Sequence, residues 1–353
     1  MRRTILLTGT RAPVALDLAR RLWREDVRLI GADSCRFPIG RFSRALAAHY
    51  RIPSARWNRD RFLSTLREII VKEAVDWLWP SCEEVFPVAF GQDHLPCRIF
   101  CPSFNVLEQL HHKLRFAEWS WEQGHEIVAP QSWEASDAPV GQDLIWKRKY
   151  SRFGAGIRRQ QPLGDLVPWM AQKRIDGPEF SSWALCHDGE VKILTQYRCP
   201  VKAGGGAGCC FVPVRSEAVA SFVRMVAGKL GYTGALAFDF IGPTPEGKIY
   251  VIECNPRMTS GLHVLAPAIP LTGILEGKPV SSEPTLRQAQ LYFLTMLHGP
   301  AWADARADVI HDVRDPLPTW GQALSLAEFA GLALSHRIEL HEATTWDLEW
   351  NGE

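Results

Sequence analysis

The sequence predicts an α/β protein in which a parallel sheet is followed by antiparallel strands, and two features of its pattern carry that reading. Over residues 1–100, short apolar runs alternate with amphipathic stretches, the pattern of strands joined by crossover helices. From residue 180 onward, apolar and β-branched runs are instead separated by tight turns rich in Gly and Pro, the pattern of hairpins.

The 353 residues provide material for two or three domains, with divisions expected at 1–103, 104–275 and 276–353. There are 40 Lys and Arg against 39 Asp and Glu, so the net charge of +1 lacks the basic excess of a nucleic-acid binder. The apolar run after Arg3 covers only residues 5–7, short of a signal peptide's core, and no apolar stretch reaches the roughly 18 residues of a membrane span. The expectation is a cytoplasmic protein with no membrane and no nucleic-acid partner, able to form oligomers. Nine cysteines lie scattered without a C-x-x-C pair and are expected as reduced thiols. The histidines show neither H-x-x-x-H nor H-E-x-x-H spacing, so no zinc site is expected.

In chain order, strands are expected at 4–8, 27–32 and 76–79, and helices at 12–25, 59–72 and 83–90. Gly9-Thr10-Arg11-Ala12-Pro13 is not G-x-G-x-x-G, so this layer is Rossmann-like without the dinucleotide fingerprint. Helices at 105–112 and 114–123 follow. In 143–157 an apolar strand runs into Lys147, and a polar loop containing Gly154, Ala155 and Gly156 then returns to Ile157. That fits a flap whose backbone N–H groups wrap phosphates, an ordinary basic hairpin being the competing reading. Strands at 180–187 and 191–198 flank Asp188-Gly189, a strong two-residue hairpin signal. The run from Lys202 to Gly208, with Gly204, Gly205 and Gly206 at its centre, is too rich in Gly to be a strand. It reads either as a connector or as a loop that brings backbone donors to a carboxylate or acyl phosphate, with Arg198 upstream as counter-charge. A helix at 216–231 ends at Gly231.

The sharpest signal lies between Ala235 and His263. Two apolar runs, 235–241 and 248–254, flank Gly-Pro-Thr-Pro-Glu-Gly, and acids interrupt their alternation: Asp239 on the first, Glu253 with Asn255 on one face of the second. Magnesium takes hard oxygen ligands, usually one or two carboxylates plus substrate phosphates, so these three side chains are candidate donors. A turn symmetric about the linker places Asp239 opposite Tyr250, and the two acids meet only if the turn is lopsided or the strands strongly twisted. Ordinary solvent-side acids or halves of ion pairs are the alternative.

The succession acid, strand, loop, strand, Glu253-x-Asn255-Pro256-Arg257 resembles the metal end of the ATP-grasp carboxylate–amine ligases of the carbamoyl-phosphate-synthase-like type. The resemblance covers roughly residues 1–270 and implies a Rossmann-like domain followed by two α+β subdomains clasping ATP. It implies that Lys113, Lys147, Gly154 and Gly156 contact the phosphates. Gln172, Ile175 and Glu179 then correspond to the hinge that reads the adenine edge and the ribose hydroxyls. Two departures stand out, Arg148 in place of the usual Pro and Phe153 in place of the first Gly. Asp239, Glu253 and Asn255 become the metal ligands for one or two Mg2+, with Mn2+ as a substitute. Arg257, Arg198 and Lys147 become the catalytic cations, and Glu84, with Ser81 or Glu83 as alternatives past the third strand, together with Gly205, Gly206, Ser260 and His263 become substrate contacts.

The activity so implied is activation of a small carboxylate, such as an amino acid, as an acyl phosphate, followed by its capture by an amine to give an amide, ADP and phosphate. The alternatives are an ATP-binding sensor without turnover, or an ATP-grasp enzyme with another acceptor, as in carbamoyl-phosphate or carboxylase relatives. A dehydrogenase is disfavoured by the missing Gly fingerprint. The resemblance fades over 276–353, where amphipathic segments at 286–297 and 324–334 are expected.

Overall fold

The protein was analysed as a computed structural model that describes residues 2–152, 156–203, 206–280 and 284–352. Its first sheet is fully parallel: β1 (Thr4–Thr8), β2 (Arg28–Asp33), β3 (Ala48–Arg51), β4 (Trp77–Pro80) and β5 (Arg98–Ile99), in the order β3-β2-β1-β4-β5. Every residue of β1 is buried, as a strand covered on both faces requires. The helices α1 (Pro13–Trp23), α2 (Arg59–Glu73) and α3 (Val85–Phe90) lie close to their expected spans. The short, polar β3 is an addition to the expected elements. Strand order reverses between β1 and β4, which opens a crevice at their carboxyl ends between Gly9–Arg11 and Ser81–Glu84.

Two short helices follow, α4 (Phe104–His111) and α5 (Lys113–Glu122); the His112 side chain caps the second by accepting from the Arg115 N–H at 3.1 Å. A small antiparallel sheet, β6 (Ser132–Glu134), β7 (Leu144–Arg148) and β8 (Trp169–Lys173), has the order β6-β8-β7 and buries Trp146 and Trp169. The large antiparallel sheet contains β9 (Glu179–His187), β10 (Glu190–Ala203), β11 (Ala207–Pro213), β12 (Gly234–Ile241), β13 (Tyr250–Asn255) and β14 (Ala289–Gln290), in the order β13-β12-β9-β10-β11-β14. The Gly-rich run is therefore partly strand: Lys202 pairs with Gly208 and Ala203 with Ala207, after register shifts between Arg198 and Lys202.

Alternation along β9 and β12 feeds two cores. Ala184, Leu236, Phe238 and Phe240 face α6 (Glu217–Leu230), which starts on the Ser216 cap and stops at Gly231 in the left-handed region. On the opposite face Trp183, Leu185 and Ala237 share a core with α7 (Gly261–Val264) and with Leu16 and Leu22 of α1, so one apolar cluster joins the two larger sheets. A buried polar clamp crosses that junction. Asp17 pairs with Arg21 and with Nδ1 of His263, and Arg21 donates to the carbonyls of Leu262, Leu265 and Ala266. Burial works against the Asp17 carboxylate, yet Arg21 and His263 hold it below the usual carboxylate range.

The C-terminal region consists of α8 (Tyr292–His298), α9 (Leu317–His336), α10 (Leu340–Ala343) and a tail to residue 352. The expected segment 286–297 thus splits into β14 and α8, and 324–334 is the second half of a longer helix. The tail lies over the carboxyl end of the parallel sheet. Asp347 shares Arg11 with Asp33, Ser54 Oγ donates to the Asp347 carbonyl at 2.7 Å, and Glu349 pairs with Arg56 and Arg152. Trp350 is 9% exposed and packs on Phe86, Phe104 and Tyr150 with ring centroids 5.0 to 5.3 Å apart. All nine cysteines are free, and among the described residues no helix is long and apolar enough to cross a membrane.

Trp350→Ala removes this anchor and leaves a cavity against Phe86, so it should cost about 3 kcal/mol. Urea unfolding with an unchanged m-value would register the loss; a midpoint equal to the parent's would show that the tail adds nothing to the fold.

Candidate functional site

The hairpin β12–β13 places its two acids directly opposite each other. The turn is offset toward β13, with Thr244 bonded to the Lys248 carbonyl at 2.8 Å, so Ile241 faces Tyr250. A bulge between Asp239 and Phe240 then brings Asp239 opposite Glu253 and Ala237 opposite Asn255. The symmetric register is replaced by the lopsided one that the pairing of acids requires.

Like charges directly opposite on a sheet repel, and the surrounding groups show how the repulsion is met. Asn255 Nδ2 lies between the acids, donating to Asp239 Oδ2 at 3.0 Å and to Glu253 Oε1 at 3.4 Å, and Ser181 Oγ donates to Asp239 Oδ1 at 2.5 Å. Burial and the neighbouring Glu253 charge push the Asp239 carboxyl upward. Burial acts on Glu253 in the same sense, but the ammonium groups of Lys113 and Lys147 outweigh it and hold Glu253 low. Of the two, Asp239 is thus the acid that keeps its proton to the higher pH, while Glu253 stays ionised.

Lys113 opens α5 and is 7% exposed; its Nζ donates to the Ser151 carbonyl at 2.8 Å and lies 3.4 Å from Glu253 Oε2. Lys147, on β7, is 4% exposed, and its Nζ donates to Gln172 Oε1 at 2.8 Å. Burial lowers its ammonium to about 8, with Glu253 pulling it up and Lys113 pushing it down. Gln172 in turn donates to Ser132 Oγ at 3.0 Å, so its oxygen is the end turned to Lys147. Three elements distant in sequence therefore converge: the start of α5, the small sheet and the acid-bearing hairpin.

Arg257 closes the other side, donating through Nη2 to Asn255 Oδ1 at 3.0 Å and through Nε to Glu83 Oε1 at 3.0 Å. Glu83 is fully buried and also pairs with Arg152. Sequence reasoning favoured its neighbour Glu84 for this crevice, yet Glu84 turns inward and accepts from Thr8 Oγ1 and the N–H groups of Ser81 and Cys82 at 2.7 to 3.1 Å. Two adjacent acids after a strand signal the site; which one reaches Arg257 is set by how α3 starts.

The remaining expected residues lie as follows. Glu179 is exposed and paired with Lys202, and Ile175 is half-buried in the connection from β8 to β9. Gly156 has φ 77°, with its backbone against Arg148 Cγ. Gly206 closes on the Ala203 carbonyl at 3.3 Å, and Arg198 is exposed on β10. Ser260 is half-buried at the start of α7, while His263 is sealed against Asp17, apart from the acid pair. Gly154 and Gly205 lie outside the described residues. The loop cations do not join Lys147: Lys149 pairs with Glu134 at 2.7 Å, Arg148 stands 5.4 Å over the Trp169 ring, and Arg152 belongs to Glu83.

The two carboxylates are hard donors that suit magnesium, whereas the Asn255 amide presents its NH2 to them and its oxygen to Arg257, so it joins as an oxygen donor only after turning over. The two carboxylates already converge on one point, where the Asn255 NH2 donates to both and Ser181 Oγ to Asp239 alone. Among the described residues no group of three or more His, Cys, Asp or Glu side chains is placed to hold a metal ion.

No family model matches the sequence, and no curated protein matches it. Solved structures do. An L-amino acid ligase from Bacillus licheniformis aligns with a TM-score of 0.59 at 15% identity over 78% of this chain and 74% of its own. The ADP complex of an N5-carboxyaminoimidazole synthetase from Staphylococcus aureus aligns at 0.62 and 14% identity over 81% of each chain. The biotin carboxylase domain of a 2-oxoglutarate carboxylase from Hydrogenobacter thermophilus, with MgADP and bicarbonate, aligns at 0.61 and 17% identity over 80% of this chain and 72% of that one. These likenesses establish the ATP-grasp fold.

An acid whose folded pKa is raised stabilises the fold below its unfolded pKa and loses that contribution as pH climbs through the folded value. Metal-free Asp239→Asn should therefore melt above the parent at pH 8, by about 1 kcal/mol or more, with the gap narrowing as pH falls and closing only below about pH 4. A lower melting point than the parent at pH 8 would contradict the like-charge reading.

Proposed function

We propose that this protein is an ATP-dependent ligase that activates a small carboxylate as an acyl phosphate and transfers the acyl group to an amine, releasing ADP and phosphate. The observation that carries this reading is the convergence of the hydrogen-bonded Asp239, Glu253 and Asn255 with two buried cations, Lys113 paired with Glu253 and Lys147 acting on Glu253 through its charge, on the ATP-grasp fold. Fold alone does not fix an activity; this cluster is what gives it chemistry.

Asp239, Glu253 and Asn255 would hold magnesium, or manganese in its place, and the metal when bound neutralises charge on the transferring phosphoryl group. Lys113 and Lys147 supply positive charge to the phosphates from fixed positions, Lys147 being aimed by Gln172. Gly156, and Gly154 outside the described residues, contribute backbone N–H groups to the phosphates. The backbone at Ile175 receives the adenine edge. Glu179 exchanges Lys202 for the ribose hydroxyls, a natural role for a carboxylate acceptor. Arg257, with Arg198, binds the acyl phosphate; Glu83 holds the Arg257 guanidinium toward Asn255 until substrate arrives. Gly206 and Ser260 contact the substrate, with Gly205 outside the described residues as a third contact, whereas Glu84 and His263 support it by fixing the crevice and α7. The unit 1–103 carries the crevice, 104–275 the nucleotide site, and 276–353 the cover over the parallel sheet.

The test is ADP and phosphate release with ATP, magnesium and pooled amino acids, other carboxylates and amines. Release should depend on one acid-plus-amine pool and fall at least about 100-fold in Glu253→Gln without loss of fold. Silence across the pools with intact ATP binding would assign the protein to non-catalytic nucleotide binding instead.

In calorimetry, Lys147→Met should weaken ATP binding about tenfold or more, because a desolvated cation at the phosphates is lost. Unchanged affinity would remove Lys147 from the nucleotide site.

A further inference from the structure

Helix α9 has an inner and an outer face, and both are apolar. The inner face docks on the loop after β2: Phe329 is buried beside Cys35, Gly321 sits against the Phe42 ring, and Glu328 accepts from the Arg36 and Phe37 N–H groups at 2.8 and 2.7 Å. Glu328 is the sole acidic or basic side chain in 317–335, and that contact commits it inward. The outer face carries Leu317, Trp320, Leu324, Ala327, Gly331 and Leu334 at spacings of three and four, the seam of a helix pair. All six are exposed, Trp320 by 76% and Leu334 by 81%.

We infer that this stripe is an isologous interface with a second copy of the chain, formed by antiparallel packing of α9 on α9. A two-fold axis needs a surface that complements itself. With the axis between residues 325 and 326, Leu317 meets Leu334, Trp320 meets Gly331, and Leu324 meets Ala327, each from the partner. In two of the three layers a large side chain thus falls on a small one. Gly331 supplies an independent observation. Glycine inside a helix costs roughly 1 kcal/mol relative to alanine, and a Cβ at Gly331 would meet nothing within 4 Å in its own chain. Nothing within the monomer calls for glycine there, whereas the partner's indole does. The antiparallel arrangement also sets opposite ends of the two helix dipoles side by side. A membrane surface fits less well, because amphipathic helices at membranes carry Lys and Arg on their polar side and α9 has none before His336. The inference is independent of the proposed ligase chemistry.

Sedimentation velocity on the full chain tests it. The parent at about 100 µM should run at twice the 39.7 kDa chain mass. Trp320→Glu should raise the dimer dissociation constant at least about thirtyfold, as loss of a central aromatic does. Gly331→Trp alone should also give monomer, since tryptophan then meets tryptophan, whereas Trp320→Gly combined with Gly331→Trp restores both layers and should restore the dimer. Leu334→Lys, at a fully solvent-facing position, checks that monomers form without loss of folding, read by thermal melting. A parent that stays monomeric, a dimer indifferent to Trp320→Glu, or a swap that fails to recover the dimer would each overturn the inference. A monomer that instead sediments with neutral phosphatidylcholine vesicles would assign the face to lipid and overturn it equally.

Discussion

The structure depends most on the buried carboxylate of Glu83. It follows β4 in the parallel sheet, yet its partners are Arg257, just past β13, and Arg152, in the loop beyond β7. A buried acid without its cations is costly, so both guanidiniums must arrive for the crevice to close. Each carries the connection further: Arg257 donates to Asn255, whose amide bridges Asp239 and Glu253, and Arg152 holds the tail through Glu349 and the Trp350 carbonyl. One polar network therefore spans the parallel sheet, the acid hairpin, the loop and the C-terminus. Such networks polarise along their length, so a change at one end is felt at the other.

The acid pair carries a second constraint. Asp239 and Glu253 face each other across the hairpin as half-buried like charges joined by the Asn255 amide, and the two nearby lysines are themselves desolvated. The cluster spends stability that an apolar filling would have kept, the usual signature of a site shaped for a ligand and not for the fold. The ATP-grasp fold is shared by proteins whose names include an amino acid ligase and a carboxylase domain, so it is this local chemistry that narrows the reading.

Much of this was legible in the sequence. Strand alternation put Asp239 and Glu253 on faces where acids want partners, and the order from Lys113 to Arg257 identified the elements that converge on them. Their register was not legible, because a symmetric turn is the default and the offset turn with its bulge is fixed by packing beyond the hairpin. The choice between Glu84 and Glu83 was not legible, because adjacent residues at a helix start differ in direction by about 100°, which composition does not encode. The strand Ala48–Arg51 is too short and polar to show a period. The tail is held by Arg11, Arg56 and Arg152, contacts that no local pattern announces.

Those same tail contacts bear on how the chain is made. Arg11 lies 336 residues before Asp347, the acid it shares a bond with, and Ser54 lies 293 residues before that residue's carbonyl. At ribosomal rates of roughly 5–20 residues per second, Arg11 waits about 20 to 70 s after its own synthesis for that partner to exist. Throughout that interval the carboxyl edge of the first sheet stands uncovered, with Phe86 and Phe104 lacking the indole that later shields them. The first hundred residues can collapse early, but their final packing waits until residues 347–350 have been made. A nascent chain stalled before Asp347 would present chaperones with that apolar edge.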